Sequence, residues 1–316
     1  MEKTAQLIKL QDYISRYEWD TYRYPTQFIR VKKQNWKKLH RMWSNPDMYT
    51  PNIGLEEDIK EQSSAFAKWK AFIRRKSNQE LENQVNPREK LNELPETEEK
   101  LKHYFLDEIF LFQLKWATST VNRISYVHKK YYTDPLLKYL LQRFPDTYLL
   151  MYNPVFNVKS VPVDCEILLV SPIGIEILYF LEVDEQAVIM AGNERVWTIE
   201  KNNDVSKILN PNIALKRTEQ IINSILLSHE IEFPVHKTVI SRTNSILFTN
   251  EPYQTKIVGK KEYPTWFNNR RKLISTLKSN QLKAAEVLLC HCQSTSVQRP
   301  EWEDDISIQT IGDLEE

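Results

Sequence analysis

The chain of 316 residues contains only 5 glycines, where an average composition of about 7% would supply roughly 22. Gly54, Gly174, Gly192, Gly259 and Gly312 stand far apart. A phosphate-cradling loop needs two glycines beside a lysine and a dinucleotide fingerprint needs three in a short run, because only glycine lets the backbone approach a phosphate closely. Nucleotide-binding loops of both kinds are excluded on that ground. Cysteine is also scarce: Cys165, Cys290 and Cys292 are odd in number and do not resemble a disulfide framework. No run approaches the roughly 18 to 20 apolar residues of a membrane span, and the opening MEKTAQLIKLQDY lacks the features of a secretory signal. The expected location is the cytoplasm, with no membrane partner.

Net charge of one sign is missing as well. A formal charge of +1 gives no global attraction to nucleic acid or anionic lipid. The charge is unevenly placed, however. Residues 1–50 carry ten Lys and Arg against five acids, and everything after Arg299 is acidic or neutral. What the chain does have is 41% hydrophobic and 11% aromatic residues, ample for a packed core.

From Tyr13 to Trp43 the sequence interleaves Tyr, Trp, Lys and Arg with Pro25 interrupting, and reads as two short helices. Ile59, Phe66, Trp69 and Ile73 fall near helical spacing over 56–75, completing a helical N-terminal region at 1–75. Residues 76–100 are polar, hold Pro87 and Pro95, and read as a connector. Tyr104, Phe105, Ile109, Phe112 and Trp116 then form one helical stripe. Asp134-Pro135 has the form of an N-cap followed by proline at the first helical position, and that helix stops before Pro145.

Beyond Pro145 the pattern changes to short apolar runs bounded by Pro, Asn and Asp. These predict strands at about 147–152, 163–170, 174–183, 186–190 and 194–200. Asn210-Pro211 opens another helix, KTVIS and ILF give further strands, and two helices follow at 265–278 and 281–291. The expected fold class is α/β, a helical N-terminal region followed by a mixed sheet flanked by helices over 101–292, with its core at 134–270. An acidic flexible tail is expected over 293–316.

The segment VPVDCEILLVSPIGIEILYFLEV carries the chemistry worth weighing. Asp164 and Glu166 lie two apart on a predicted strand, so their side chains share a face. Two converging carboxylates suit Mg²⁺ or Mn²⁺, which can activate water against a phosphodiester. The plainer alternative is a pair of solvated acids at a strand start just after Pro162.

The order of pieces resembles the nuclease-related domain (NERD) of bacterial proteins, a branch of the PD-(D/E)xK nuclease-like fold. It rests on a helix running into RFPDTYLL, the acid-bearing strand DCEILLVSPIG, an apolar strand after Gly174, the NP that opens a helix at 210–211, and KTVIS as a later strand. The resemblance spans Pro145 to about Phe267. It implies an acid-x-acid strand, matched in charge by Asp164 and Glu166, and a Glu-x-Lys five and seven residues after the glycine. Those two positions hold Tyr179 and Leu181, and Ala214 stands where a Gln usually follows NP. Glu176 and Glu182 are on the same strand in the opposite parity.

The resemblance together with these departures predicts a degenerate nuclease site and a non-catalytic module that binds nucleic acid or a protein partner, with no cofactor. The alternative is a nuclease using Mg²⁺ or Mn²⁺ held by Asp164 and Glu166, its lysine replaced by another such as Lys159 or Lys201. Arg270, Arg271 and Lys272 in WFNNRRK are candidate nucleic-acid contacts. The aromatic and basic N-terminal stretch reads as core and solvated face. Cys290, His291 and Cys292 read as helix residues, because no second Cys or His pair accompanies them.

Overall fold

The computed structural model describes residues 3–44 and 95–299, apart from positions 193, 203, 249–250 and 253. The helix expected over 56–75, most of the connector, and the chain after 299 lie outside the described residues. Two compact units are present, one made of residues up to Lys32 and from Leu106 onward, the other of Lys33–Phe105.

The helices are α1 (Arg23–Ser44), α2 (Glu98–Trp116), α3 (Pro135–Arg143), α4 (Pro211–Ser228), α5 (Tyr263–Lys272) and α6 (Ser279–His291). The strands are β1 (Gln6–Leu10), β2 (Arg123–Ile124), β3 (Leu149–Tyr152), β4 (Val155–Val158), β5 (Val161–Asp164), β6 (Ile167–Ser171) and β7 (Gly174–Phe180). They continue as β8 (Val188–Ala191), β9 (Val196–Lys201), β10 (Asp204–Leu209), β11 (Val235–Ile240), β12 (Ser245–Phe248), β13 (Thr255–Val258) and β14 (Val297–Gln298).

The protein is a mixed α/β structure whose main sheet has the order β1-β3-β6-β7-β11-β13. Strands β3, β6 and β7 form an antiparallel meander, whereas β11 is parallel to β7 and β13 parallel to β11. The continuous apolar runs of β3 and β6 are buried throughout, as strands covered on both faces must be. On one face Leu150, Leu169, Leu178 and Ile240 join Leu137 and Leu140 of α3, Phe144 just after it, and Trp266 of α5. Helix α4 packs on β7 and β11, and α6 packs on α4 and β6. The connection from β7 to β11 includes α4 and most of a second, four-stranded sheet, β10-β9-β8-β12.

Two expectations for the N-terminal part change. The region expected to be helical begins with β1, which lies parallel to β3 at the sheet edge and is buried at all five positions. Two polar residues hide it in the sequence, Gln6 and Lys9. The Lys9 ammonium is satisfied by Glu18 at 2.5 Å, the Ser294 hydroxyl at 2.7 Å and the Tyr13 carbonyl at 2.8 Å. The edge itself is partly sealed, because the Leu7 N–H donates to the Gln113 side chain at 2.8 Å. Instead of two short helices, α1 is continuous; Pro25 sits in its first turn, where no N–H is needed.

The C-terminal expectation changes too. Residues 293–299 are fastened rather than free: Gln293 N–H donates to Val155 O at 2.8 Å, Thr295 bonds Asp12, and β14 pairs with β2.

Candidate functional site

The turn Ser171-Pro172-Ile173-Gly174 joins β6 to β7. Ser171 Oγ donates to the Gly174 carbonyl at 2.9 Å and accepts from the Ile173 N–H at 3.3 Å. A Cβ on Gly174 would lie 2.8 Å from the Pro234 carbonyl oxygen, which accepts from the Ile175 N–H at 2.8 Å. Glycine is therefore what lets β7 start against the segment that leads into β11.

At the other end of β6 the two candidate acids part. The strand expected over 163–170 is broken at Cys165 and Glu166, so β5 ends at Asp164 and β6 begins at Ile167. Asp164 belongs instead to the β4–β5 hairpin, opposite Val155, and is exposed. Its carbonyl oxygen accepts from Arg217 Nη2 at 2.8 Å. The alternation that predicts a shared face holds only along an unbroken strand.

Glu166 is half-buried, next in line after the Ile167–Leu178 pair and thus level with Tyr179. Its backbone N–H donates to Thr218 Oγ1 of α4 at 3.3 Å. Burial raises its carboxyl above the ordinary value, and the Arg217 guanidinium opposes that shift. The Tyr179 phenol is likewise raised by burial, with a further push from Glu166. Beside them Cys165 is pushed up to about 11 by burial, which keeps it a thiol rather than a nucleophilic thiolate.

These residues do not fit a two-carboxylate Mg²⁺ or Mn²⁺ centre. The neighbour of Glu166 is a cationic guanidinium, its strand-mate is a phenol, and Leu181 is buried. Among the described residues no group of three His, Cys, Asp or Glu is placed to hold a metal ion. Neither suggested lysine stands at the site. Lys159 is in the turn between β4 and β5, and Lys201 pairs with Asp184 of the loop before β8 at 2.7 Å.

Glu176 faces the opposite side of the sheet, as its parity predicts, and there it is fully engaged. Its carboxylate accepts from Thr238 Oγ1 at 2.7 Å, Trp266 Nε1 at 3.0 Å, and Arg270 at 2.7 and 3.0 Å. Arg270 also lies over the Trp266 ring, 4.6 Å from its centroid. Of the three candidate nucleic-acid contacts, Arg270 is thus committed internally, Arg271 lies over the Phe267 ring at 5.5 Å, and Lys272 is exposed. Glu182 pairs with Arg242, whose guanidinium covers Tyr139 at 4.7 Å.

Two further charges were invisible in the sequence pattern. Lys237 of β11 is buried in an ion pair with Glu219 of α4, and Lys32 of α1 is buried against Asp146 at 2.5 Å. Each lysine occupies a position whose neighbours read equally well as a solvated face. Asp134 caps α3, accepting from Leu136 and Leu137 N–H at 3.0 and 2.9 Å and from the Tyr152 hydroxyl at 2.9 Å. Cys292 is buried, Cys290 is exposed, and His291 Nδ1 bonds the Val287 carbonyl at 2.8 Å. Among the described residues no helix is long and apolar enough to cross a membrane.

No family model and no solved structure matches the chain. It is 33% identical over 118 residues to a protein of Geobacillus stearothermophilus named RNA 2',3'-cyclic phosphodiesterase, a match that takes in 35% of this chain and 37% of that protein. The chain thus spans little more than a third of the length of the curated relative it matches.

Proposed function

We propose that the protein is a non-hydrolytic nucleic-acid-binding module built on a degenerate nuclease-related scaffold of the PD-(D/E)xK type. The element order supports the scaffold: a helix, an antiparallel three-strand meander, a crossover helix, and a fourth strand parallel to the third. The observation that carries the reading is the company of Glu166. Where the scaffold's chemistry needs a second carboxylate and a lysine that stabilises developing negative charge, Glu166 meets Arg217 and Tyr179. The likeness to a protein named for a phosphodiesterase acting on RNA adds RNA, with and without a 2',3'-cyclic phosphate end, to the polymers that must be tried.

The test is incubation of purified full chain with plasmid DNA, single-stranded RNA and cyclic-phosphate-ended RNA, with Mn²⁺ and with Mg²⁺, beside Asp164→Ala/Glu166→Ala. Binding without cleavage is the expected result. Cleavage abolished in the double variant would establish the metal-dependent nuclease instead.

A further inference from the structure

Helix α1 has a composition unlike the rest of the chain. Its 22 residues, RYPTQFIRVKKQNWKKLHRMWS, contain no Asp or Glu. The apolar side is used for packing. Phe28 is buried, Trp36 lies edge-on to Phe105 with centroids 5.2 Å apart, and the Trp43 indole donates to the Pro95 carbonyl at 2.7 Å. Lys32 belongs to that side as well, its ammonium held by Asp146 and by the Thr4 hydroxyl.

In the unit of Lys33–Phe105 this helix shows Lys33, Lys37, Lys38 and Arg41 to solvent. From Lys33 through Lys37 to Arg41 the steps are four residues each, which keeps the side chains on one helical face. None of these residues forms an ion pair with another described residue. Like charges at such spacings repel one another, and a polyanion laid along the face would relieve that repulsion.

We propose that this face of α1 binds the phosphate backbone of a nucleic-acid duplex without regard to sequence. The proposal deepens the nucleic-acid-binding reading above and rests on it, while moving the contact away from Arg270, Arg271 and Lys272. Two features choose the duplex. From Lys33 to Arg41 a charge recurs at every turn over about 12 Å at 1.5 Å per residue, which suits a rigid array carrying one phosphate charge per about 1.7 Å of axis. A single strand gains most of its affinity from bases stacked on aromatic rings, and the aromatic rings of α1 are turned to the packed side.

The experiment is fluorescence anisotropy of full chain with a labelled DNA or RNA duplex one to two helical turns long, repeated over a salt series. Lys33→Gln/Lys37→Gln/Arg41→Gln is compared with wild type and with Lys260→Gln/Lys261→Gln/Lys272→Gln around α5. Removing three phosphate contacts should flatten the log–log salt slope by about 2 to 3 and weaken binding about a hundredfold at physiological salt. The α5 variant should keep the wild-type slope. The charge-preserving Lys33→Arg/Lys37→Arg/Arg41→Lys should also keep it, which separates charge from any loss of fold.

An unchanged slope in the α1 variant, or tighter wild-type binding to a single strand than to the duplex, overturns this inference and leaves the general reading standing. A wild-type chain that binds neither nucleic acid at low salt overturns both.

Discussion

Arg270 grips Glu176 with two nitrogens, Nη2 on Oε1 at 2.7 Å and Nε on Oε2 at 3.0 Å. A residue that reads in the sequence as a phosphate contact thus ties α5 to the third strand of the meander. Breaking a buried ion pair costs about 3 to 5 kcal/mol, but this pair is partly exposed and Thr238 and Trp266 would still serve Glu176. Arg270→Ala should therefore cost about 2 kcal/mol in urea unfolding. Arg270→Lys should recover little of that loss, because an ammonium cannot reproduce the two-nitrogen fork.

Asp134 is a helix cap and a tether at once, since one oxygen serves the start of α3 and the other accepts from Tyr152. Asp134→Ala should lower stability by about 1 to 2 kcal/mol. Asp134→Asn should keep most of it, and any cleavage activity that vanished in the Asn variant would show a role beyond the cap. Thermal unfolding of the two variants makes the comparison.

Glu166 and Glu182 should respond to acid with opposite signs. Burial raises Glu166 above its ordinary 4.5, so its ionised form opposes folding at neutral pH and that cost fades as pH falls toward the ordinary value. The Arg242 hydrogen bond lowers Glu182, so its contribution is present above 4.5 and is lost as pH falls through the lowered value. Glu166→Gln should stabilise the protein near neutrality, and Glu182→Gln should destabilise it. Both differences should shrink by about pH 3, where ordinary carboxyls are protonated, as read from denaturant midpoints at the two pH values.

Gly174 and Gly192 make a matched test of close approach. A methyl on Gly174 meets the Pro234 carbonyl oxygen at 2.8 Å, whereas one on Gly192 meets nothing nearer than the Glu194 nitrogen at 4.0 Å. Gly174→Ala should cost about 2 to 3 kcal/mol, and Gly192→Ala should stay within about 0.5 kcal/mol of wild type. Chemical denaturation of both variants decides it.

The meander and its following helix were legible because their signals are local. Runs such as ILLV and IEILYF, the SPIG turn, and the Asp-Pro and Asn-Pro caps each mark one element without reference to the rest of the chain. Strand β1 was not legible, because Gln6 and Lys9 become buried only through partners as distant as Asp146 and Ser294. Strand β10 escaped for the opposite reason, since DVSKIL is almost wholly exposed and has no apolar face to announce it. At the site, the two-residue spacing of Asp164 and Glu166 predicted one shared face, but the chain breaks the strand between them as it leaves the β4–β5 hairpin for β6. Spacing cannot reveal a break made by tertiary pairing. The basic face of α1 was visible as composition, and only the burial of Lys32 and the aromatic residues shows which charges it leaves outward.

The position of β1 also sets an order in time. A ribosome adding about 5 to 20 residues per second completes β1 about 7 to 28 seconds before its neighbour β3 exists, because the partners Gln6 and Leu149 are separated by most of half the chain. Throughout that interval QLIKL is an unpaired strand among chains at the same stage, the circumstance in which short apolar strands join the wrong partner. Lys9, its fourth residue, holds a positive charge there until Tyr13, Glu18 and finally Ser294 can receive it. A charge at this position disfavours such mispairing, so Lys9→Leu should leave more of the newly made chain insoluble during translation.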